Sequence, residues 1–150
     1  MRTLRVLCIG LGLALASPMA LAVDTQVSTD APDLTAVRAS IKAKDFKGAL
    51  AQLNTMVDQG VQHADVYNLL GFSLRKTGNY KDALTYYKKA LDYDADHKGA
   101  HEYLGELYVE TGQLPKAREQ LAILVKLCPA GCEEREDLAK ALAAAEPKTN

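Results

Sequence analysis

From Asp33 to Ala145 the apolar residues return every three or four positions, the spacing of one helix face, and no stretch alternates as a half-buried strand would. In the clearest stretch Val66, Tyr67, Leu70, Gly71 and Leu74 share one stripe of a first helix. Thr77-Gly78-Asn79 breaks it, with Gly78 suited to the left-handed residue that follows a helix end. A second helix from Tyr80 carries Ala83, Leu84, Tyr87, Ala90 and Leu91. Gly71 and Ala83 are small enough to let the pair approach, and Tyr80 and Tyr87 supply bulk beside them. The plan then recurs. Leu70-Gly71 returns as Leu104-Gly105, Thr77-Gly78 as Thr111-Gly112 and Ala83 as Ala117, all at one offset of 34 residues. A fixed period in this range marks units that cannot bury an apolar face alone and must stack.

The second copy, 98–131, places Tyr103, Leu104, Gly105 and Tyr108 on its first helix and Leu114, Ala117, Leu121 and Leu124 on its second. One period earlier lies a degenerate copy, about 30–63. Asp45-Phe46-Lys47-Gly48-Ala49-Leu50 aligns with Asn79-Tyr80-Lys81-Asp82-Ala83-Leu84, and Leu34, Val37 and Ile41 form the apolar side of a first helix from about Asp33 to Ala43. A terminal unit is often atypical, and about three units are needed for stability. A seventh helix within 132–145 has Leu138, Ala141, Leu142 and Ala145 on one side. Glu133, Glu134 and Glu136 suit the positive end of its dipole, and it is expected to cover the last unit.

Tyr67-x2-Leu70-Gly71-x2-Leu74 with Gly78, Tyr80, Ala83, Tyr87 and Ala90 resembles a tetratricopeptide repeat, and His101-x2-Leu104-Gly105-x2-Tyr108 with Gly112, Ala117, Leu121 and Pro129 resembles a second. The usual first-position Trp is absent from both. The resemblance spans roughly 33–145 and implies an all-α, right-handed solenoid of about three helix-turn-helix repeats (30–63, 64–97, 98–131) with a capping helix.

The ends read differently. Arg2 and Arg5, an apolar run of 11 residues from Val6 to Ala16, and Ala20-Leu21-Ala22 form the three parts of a secretory signal peptide, 1–22, cut between Ala22 and Val23. That run is too short to span a bilayer, which takes about 20 residues. Residues 23–32 read as a flexible leader and 146–150 as a disordered tail. The mature chain keeps 16 basic against 19 acidic side chains and no basic stripe for nucleic acid, and it has no second apolar segment long enough to cross a membrane. It is expected to be periplasmic.

Two cysteines remain after cleavage, Cys128 and Cys132, and in an exported chain an even count favours a disulfide. Pro129 and Gly131 tighten the turn between them, and closing so short a loop stabilises by about 2 kcal/mol in the chain-entropy picture. The competing reading is a thiol-redox pair or a soft-metal site for copper. No third ligand is evident: His63 and His97 are equivalent repeat positions, and His101 fills the aromatic slot of Tyr67. The tyrosines fall mostly on packing positions. With no phosphate loop and no catalytic triad in a workable order, no catalytic residue, cofactor or metal is assigned, and the chain is read as non-enzymatic.

What the resemblance implies about function is a docking surface. In this family the first helix of each pair lines the concave side. Carried over by position, the groove holds Leu34, Arg38, Ile41 and Lys42, then Asn68, Phe72, Arg75 and Lys76, then Glu102, Glu106, Val109 and Glu110. It would be basic at its amino end and acidic at its carboxyl end, with Phe72 as the apolar anchor between them. The slots that clamp a peptide's terminal carboxylates in some members hold Leu34, Arg38, Leu69, Gly99 and Tyr103, and with Arg38 alone cationic no such clamp is expected. The leading reading is a periplasmic adaptor or scaffold that holds a protein or peptide of the cell envelope. Thiol or copper handling through Cys128 and Cys132 is the alternative.

Overall fold

The structure is a computed structural model that describes residues 31–146, so the expected signal peptide with its expected Ala22–Val23 cut, most of the expected leader and most of the expected tail lie outside the described residues. It has seven helices: α1 (Thr35–Lys42), α2 (Phe46–Asp58), α3 (Ala64–Lys76), α4 (Tyr80–Tyr93), α5 (Lys98–Glu110), α6 (Leu114–Leu127) and α7 (Glu133–Ala145). Among the described residues there is no strand. Helices α1–α6 form three antiparallel pairs, and α7 packs on both α5 and α6.

The repeat is visible in the caps as well as in the core. Asp45 and Asn79, one period apart, each accept a backbone N–H three residues on, from Gly48 and Asp82, and so satisfy one of the free donors of a helix start. His63 and His97 do the same for α3 and α5, their Nδ1 accepting from the N–H of Asp65 and of Ala100. That is why a histidine recurs at this offset. The turn inside each pair also repeats: Lys44, Gly78 and Gly112 all take left-handed backbone, at φ 60°, 82° and 73°. Glycine adopts this conformation freely and lysine does not.

Two apolar cores run along the stack. The first gathers Leu34, Val37, Ala49, Leu53, Val66, Tyr67, Leu70 and Ala90 from α1 to α4. The second gathers Ala83, Tyr87, Leu104, Tyr108, Ala117, Leu124, Leu138 and Leu142 from α4 to α7. Gly71 is small for a specific reason: a Cβ there would meet the ring of Tyr87 at 2.6 Å. Gly105 does the same service one repeat later, with Leu138 of α7 in place of the tyrosine. Helix α6 holds against α5 the place that α4 holds against α3, and α7 packs on α5 as the first helix of a further repeat would. Two expectations need correction. Tyr80 does not fill the space between paired helices; at the first position of α4 its ring is 40% exposed. Tyr93 is likewise exposed rather than core, its ring stacked on Tyr67 at 5.2 Å.

Candidate functional site

Helices α1, α3, α5 and α7 share one face of the stack, and two neighbouring cavities open on it. The first, of about 220 Å³, is lined by Arg38, Ile41, Lys42, Leu69, Phe72 and Tyr103. The second, of about 290 Å³, is walled by Asn68, Leu69, Glu102 and Tyr103, with Asp65, His97 and Gly99 at one side and Glu133, Glu134 and Asp137 of α7 at the other. Arg38, Leu69 and Tyr103 belong to both, so the two cavities share a wall.

Of the residues placed in the groove by position, Arg38, Lys42, Asn68, Phe72 and Glu102 line these cavities. Phe72 is half-buried, packed edge-on against Phe46 at 6.2 Å and tilted against Tyr103 at 4.9 Å, and one side of it faces the first cavity. It is at once a joint between repeats and part of the groove wall. Lys76 is exposed, with its Nζ 5.3 Å from the Phe72 ring.

Arg75, Glu106 and Glu110 behave otherwise. Arg75 is only 3% exposed. Its guanidinium donates to Glu106 Oε2 at 2.5 Å and to Glu110 Oε1 at 2.6 Å, and its Nε donates to the Tyr87 hydroxyl at 3.3 Å. The rings of Phe72 and Tyr103 lie 5.6 and 5.7 Å from its central carbon. Burial alone would lower the pKa of this guanidinium, but Tyr87, Glu106 and Glu110 outweigh burial and raise it. The same burial pushes the Tyr87 hydroxyl up. Arg75 is therefore not a groove cation. It is an internal pin between the second and third repeats, and it occupies the two carboxylates expected to form the acidic rim.

Glu102 is the opposite case. It is 7% exposed, and burial, reinforced by Glu106, Asp137 and Glu134, raises its carboxyl to about 8. Burial followed by the charge of Glu102 also lifts the Tyr103 hydroxyl to about 12. Asp65, His97, Glu133, Glu134 and Asp137 are site residues that position-by-position reasoning did not select, and it placed Leu69 and Tyr103 only in slots of a clamp that was not expected. Nothing in the spacing pointed to Glu134 and Asp137, because only the docking of α7 onto α5 brings them to the groove.

Cys128 and Cys132 are joined, with Sγ atoms 2.10 Å apart and Cα atoms 6.0 Å apart, tying the end of α6 to the start of α7. Among the described residues no three His, Cys, Asp or Glu side chains gather where they could hold a metal ion. His97 and His101 do not converge: His97 Nε2 pairs with Asp65 Oδ1 at 3.0 Å, and His101 is buried against Gln120 and the Ala95 carbonyl. No helix among the described residues is long and apolar enough to cross a membrane.

Comparison with known proteins agrees with this geometry. Residues 74–127 match the model of the tetratricopeptide repeat family. In three dimensions the chain is similar to the type III secretion translocator chaperone SycD of Yersinia enterocolitica, in its alternative dimer form. The TM-score is 0.63 at 15% identity, over 77% of this chain and 90% of that one. No curated protein sequence matches. Three helix pairs at a period of 34 residues and left-handed turns at equivalent positions give the chain a tetratricopeptide-like helical repeat fold, and residues 74–127 match that family's model.

Proposed function

We propose that this protein is a non-enzymatic adaptor that holds an extended or helical segment of a partner protein on the face made by α1, α3, α5 and α7. The observation that carries the reading is the pair of joined cavities on that face, one with an aromatic and aliphatic wall and one with a polar wall. Recognition surfaces work by placing an apolar anchor in a pocket and fixing its orientation with a few polar groups beside it. The likeness in fold to a secretion chaperone supports a role in protein contact. The signal-like leader supports export, with the mature chain acting in the periplasm on another envelope protein. The Cys128–Cys132 bond fits such a compartment.

The test is retention of an envelope protein by the mature chain, compared with an Arg38→Glu, Lys42→Glu double variant, both positions being exposed on the cavity rim, whose melting temperature should match the parent's. A partner retained by the parent and lost by the variant is the expected result. A partner held equally by both would move the docking surface elsewhere, and failure to retain any would overturn the adaptor reading. Export is tested by sequencing the amino terminus of protein recovered from the periplasmic fraction, which should begin at Val23.

A further inference from the structure

The polar cavity is built for more than generic docking. Five carboxyl side chains line it, those of Asp65, Glu102, Glu133, Glu134 and Asp137, and the one fixed cation among its lining residues is Arg38, exposed on α1. His97 is held on its Nδ1 by the Ala100 N–H and pairs through Nε2 with Asp65 Oδ1 at 3.0 Å.

Two of the lining side chains are buried and short of donors. Glu102, 7% exposed, forms no side-chain hydrogen bond or ion pair among the described residues, and its carboxyl oxygens remain open to the cavity. Asn68, 5% exposed, keeps an Oδ1 with no partner. Buried acceptors are nearly always satisfied, and leaving one unmet is costly. The wall therefore lacks what an occupant rich in N–H groups would bring.

Three observations narrow that occupant. The carboxyls are spread around the wall rather than converging on a point, so the arrangement does not suit a bare metal ion. At about 290 Å³ the cavity lies at the bottom of the range of small-molecule sites, about 300–1,000 Å³, which suits one side chain rather than a cofactor. Tyr103 forms the wall shared with the apolar cavity, an aromatic surface on which a flat cation can lie. A guanidinium offers five N–H donors in a planar fork and loses its water more readily than an ammonium.

We propose that this cavity receives the guanidinium of an arginine in the partner segment, with a neighbouring apolar side chain of that segment in the cavity beside Phe72. The proposal deepens the adaptor reading and rests on it. Arginine entry requires Glu102 to give up its proton. Burial holds that proton, as do Glu106 on the same helix and Glu134 and Asp137 on α7, while Arg75 on α3 opposes them. Asp65, Glu133, Arg38 and His97 complete the charged or titratable surroundings, with Tyr103. Affinity should therefore climb with pH up to about 8 and level off above it.

The experiment titrates isotopically labelled protein with an array of blocked twelve-residue peptides, each containing an apolar–Arg pair, and with the same peptides carrying citrulline or lysine in place of arginine. The backbone resonance of Gly99 and the side-chain amide of Asn68 report on the cavity. Arginine peptides should move both signals and bind about tenfold more tightly than their citrulline forms, as expected for a charged hydrogen-bonded contact. Glu102→Gln and Asp137→Asn should each remove most of that preference without lowering the melting temperature. Equal binding of arginine and citrulline peptides overturns the cavity assignment and leaves the adaptor reading standing. Absence of binding by any peptide in the array overturns both. Tighter binding of spermidine or free arginine amide than of any peptide overturns the peptide source and makes this a site for small cations.

Discussion

Two joints hold the three repeats in line, and they are made of different materials. Between the first and second repeats the contact is apolar: Phe46 of α2 meets Phe72 of α3 edge-on, beside a core of Val37, Leu53 and Val66. Between the second and third, the same Phe72 meets Tyr103, but the centre of the joint is the buried Arg75 reaching across to Glu106 and Glu110. The repeat equivalents of Arg75 are Ile41 and Val109, so the charge is particular to the middle of the stack. An apolar joint tolerates small slips because dispersion and burial have no direction. A guanidinium fixed by two carboxylates and a phenol holds one register. Helices α3 and α5 are thus tied by charged hydrogen bonds, whereas the contact between the first two repeats is made by rings and aliphatic side chains.

The largest effect should come from the rigid joint. Arg75→Ala leaves two carboxylates and the Tyr87 hydroxyl facing a void, and should cost about 3 kcal/mol in chemical denaturation. Loss of less than about 1 kcal/mol would mean that the pin is decorative and the two joints are alike. Phe72→Ala touches both joints and the apolar cavity. Because the ring is half-buried, a cost of about 2 kcal/mol is expected, below the range for fully buried aromatics. Phe72 is thus a poorer pure binding probe than its groove position implied, and groove tests are better made at the exposed Arg38 and Lys42.

A smaller effect is tied to pH. Glu102 keeps its proton in the folded chain up to about 8, whereas the unfolded chain releases it near the ordinary value of 4.5. The folded state binds more protons between those values, so stability should fall as pH rises from about 4.5 to about 8 and then level off. Glu102→Gln should flatten that slope, as read from melting temperatures across the range. An unchanged slope would show that the carboxyl is hydrated in solution. The smallest change concerns the first repeat alone. Lys44→Gly removes a left-handed lysine at the place where the other repeats carry glycine, and should stabilise by about 0.5 kcal/mol once the added freedom of the unfolded chain is counted.

The helices, their pairing and most of the core were legible from the sequence because they depend on local periodicity and on small residues at a fixed offset. Gly71 and Gly105 announced close approach, and Gly78 and Gly112 announced the turns. The groove was legible only in outline. Placing Arg75 beside Lys76 on one face is correct for the helix, but a residue's partners come from the next repeat, and no period reports that Glu106 and Glu110 arrive within reach of it. The acids at the start of α7 show the same limit. Glu133 and Glu134 read as solvated helix-start residues, which the dipole argument supports, yet their helix packs where the first helix of a further repeat would sit and turns them towards the cavity.

Helix α4 contributes Ala90 to one core and Ala83 and Tyr87 to the other, and Leu91 packs against both. A chain severed in the turn between Tyr93 and Lys98 would therefore yield two pieces with unequal fates. The amino-terminal piece would carry a stripe of α4 shaped for α5, and the carboxyl-terminal piece would lose the helix that closes its core. Neither would be a miniature of the whole. Mixed together, the pieces would fold by recombining, each acting as the template that the other lacks.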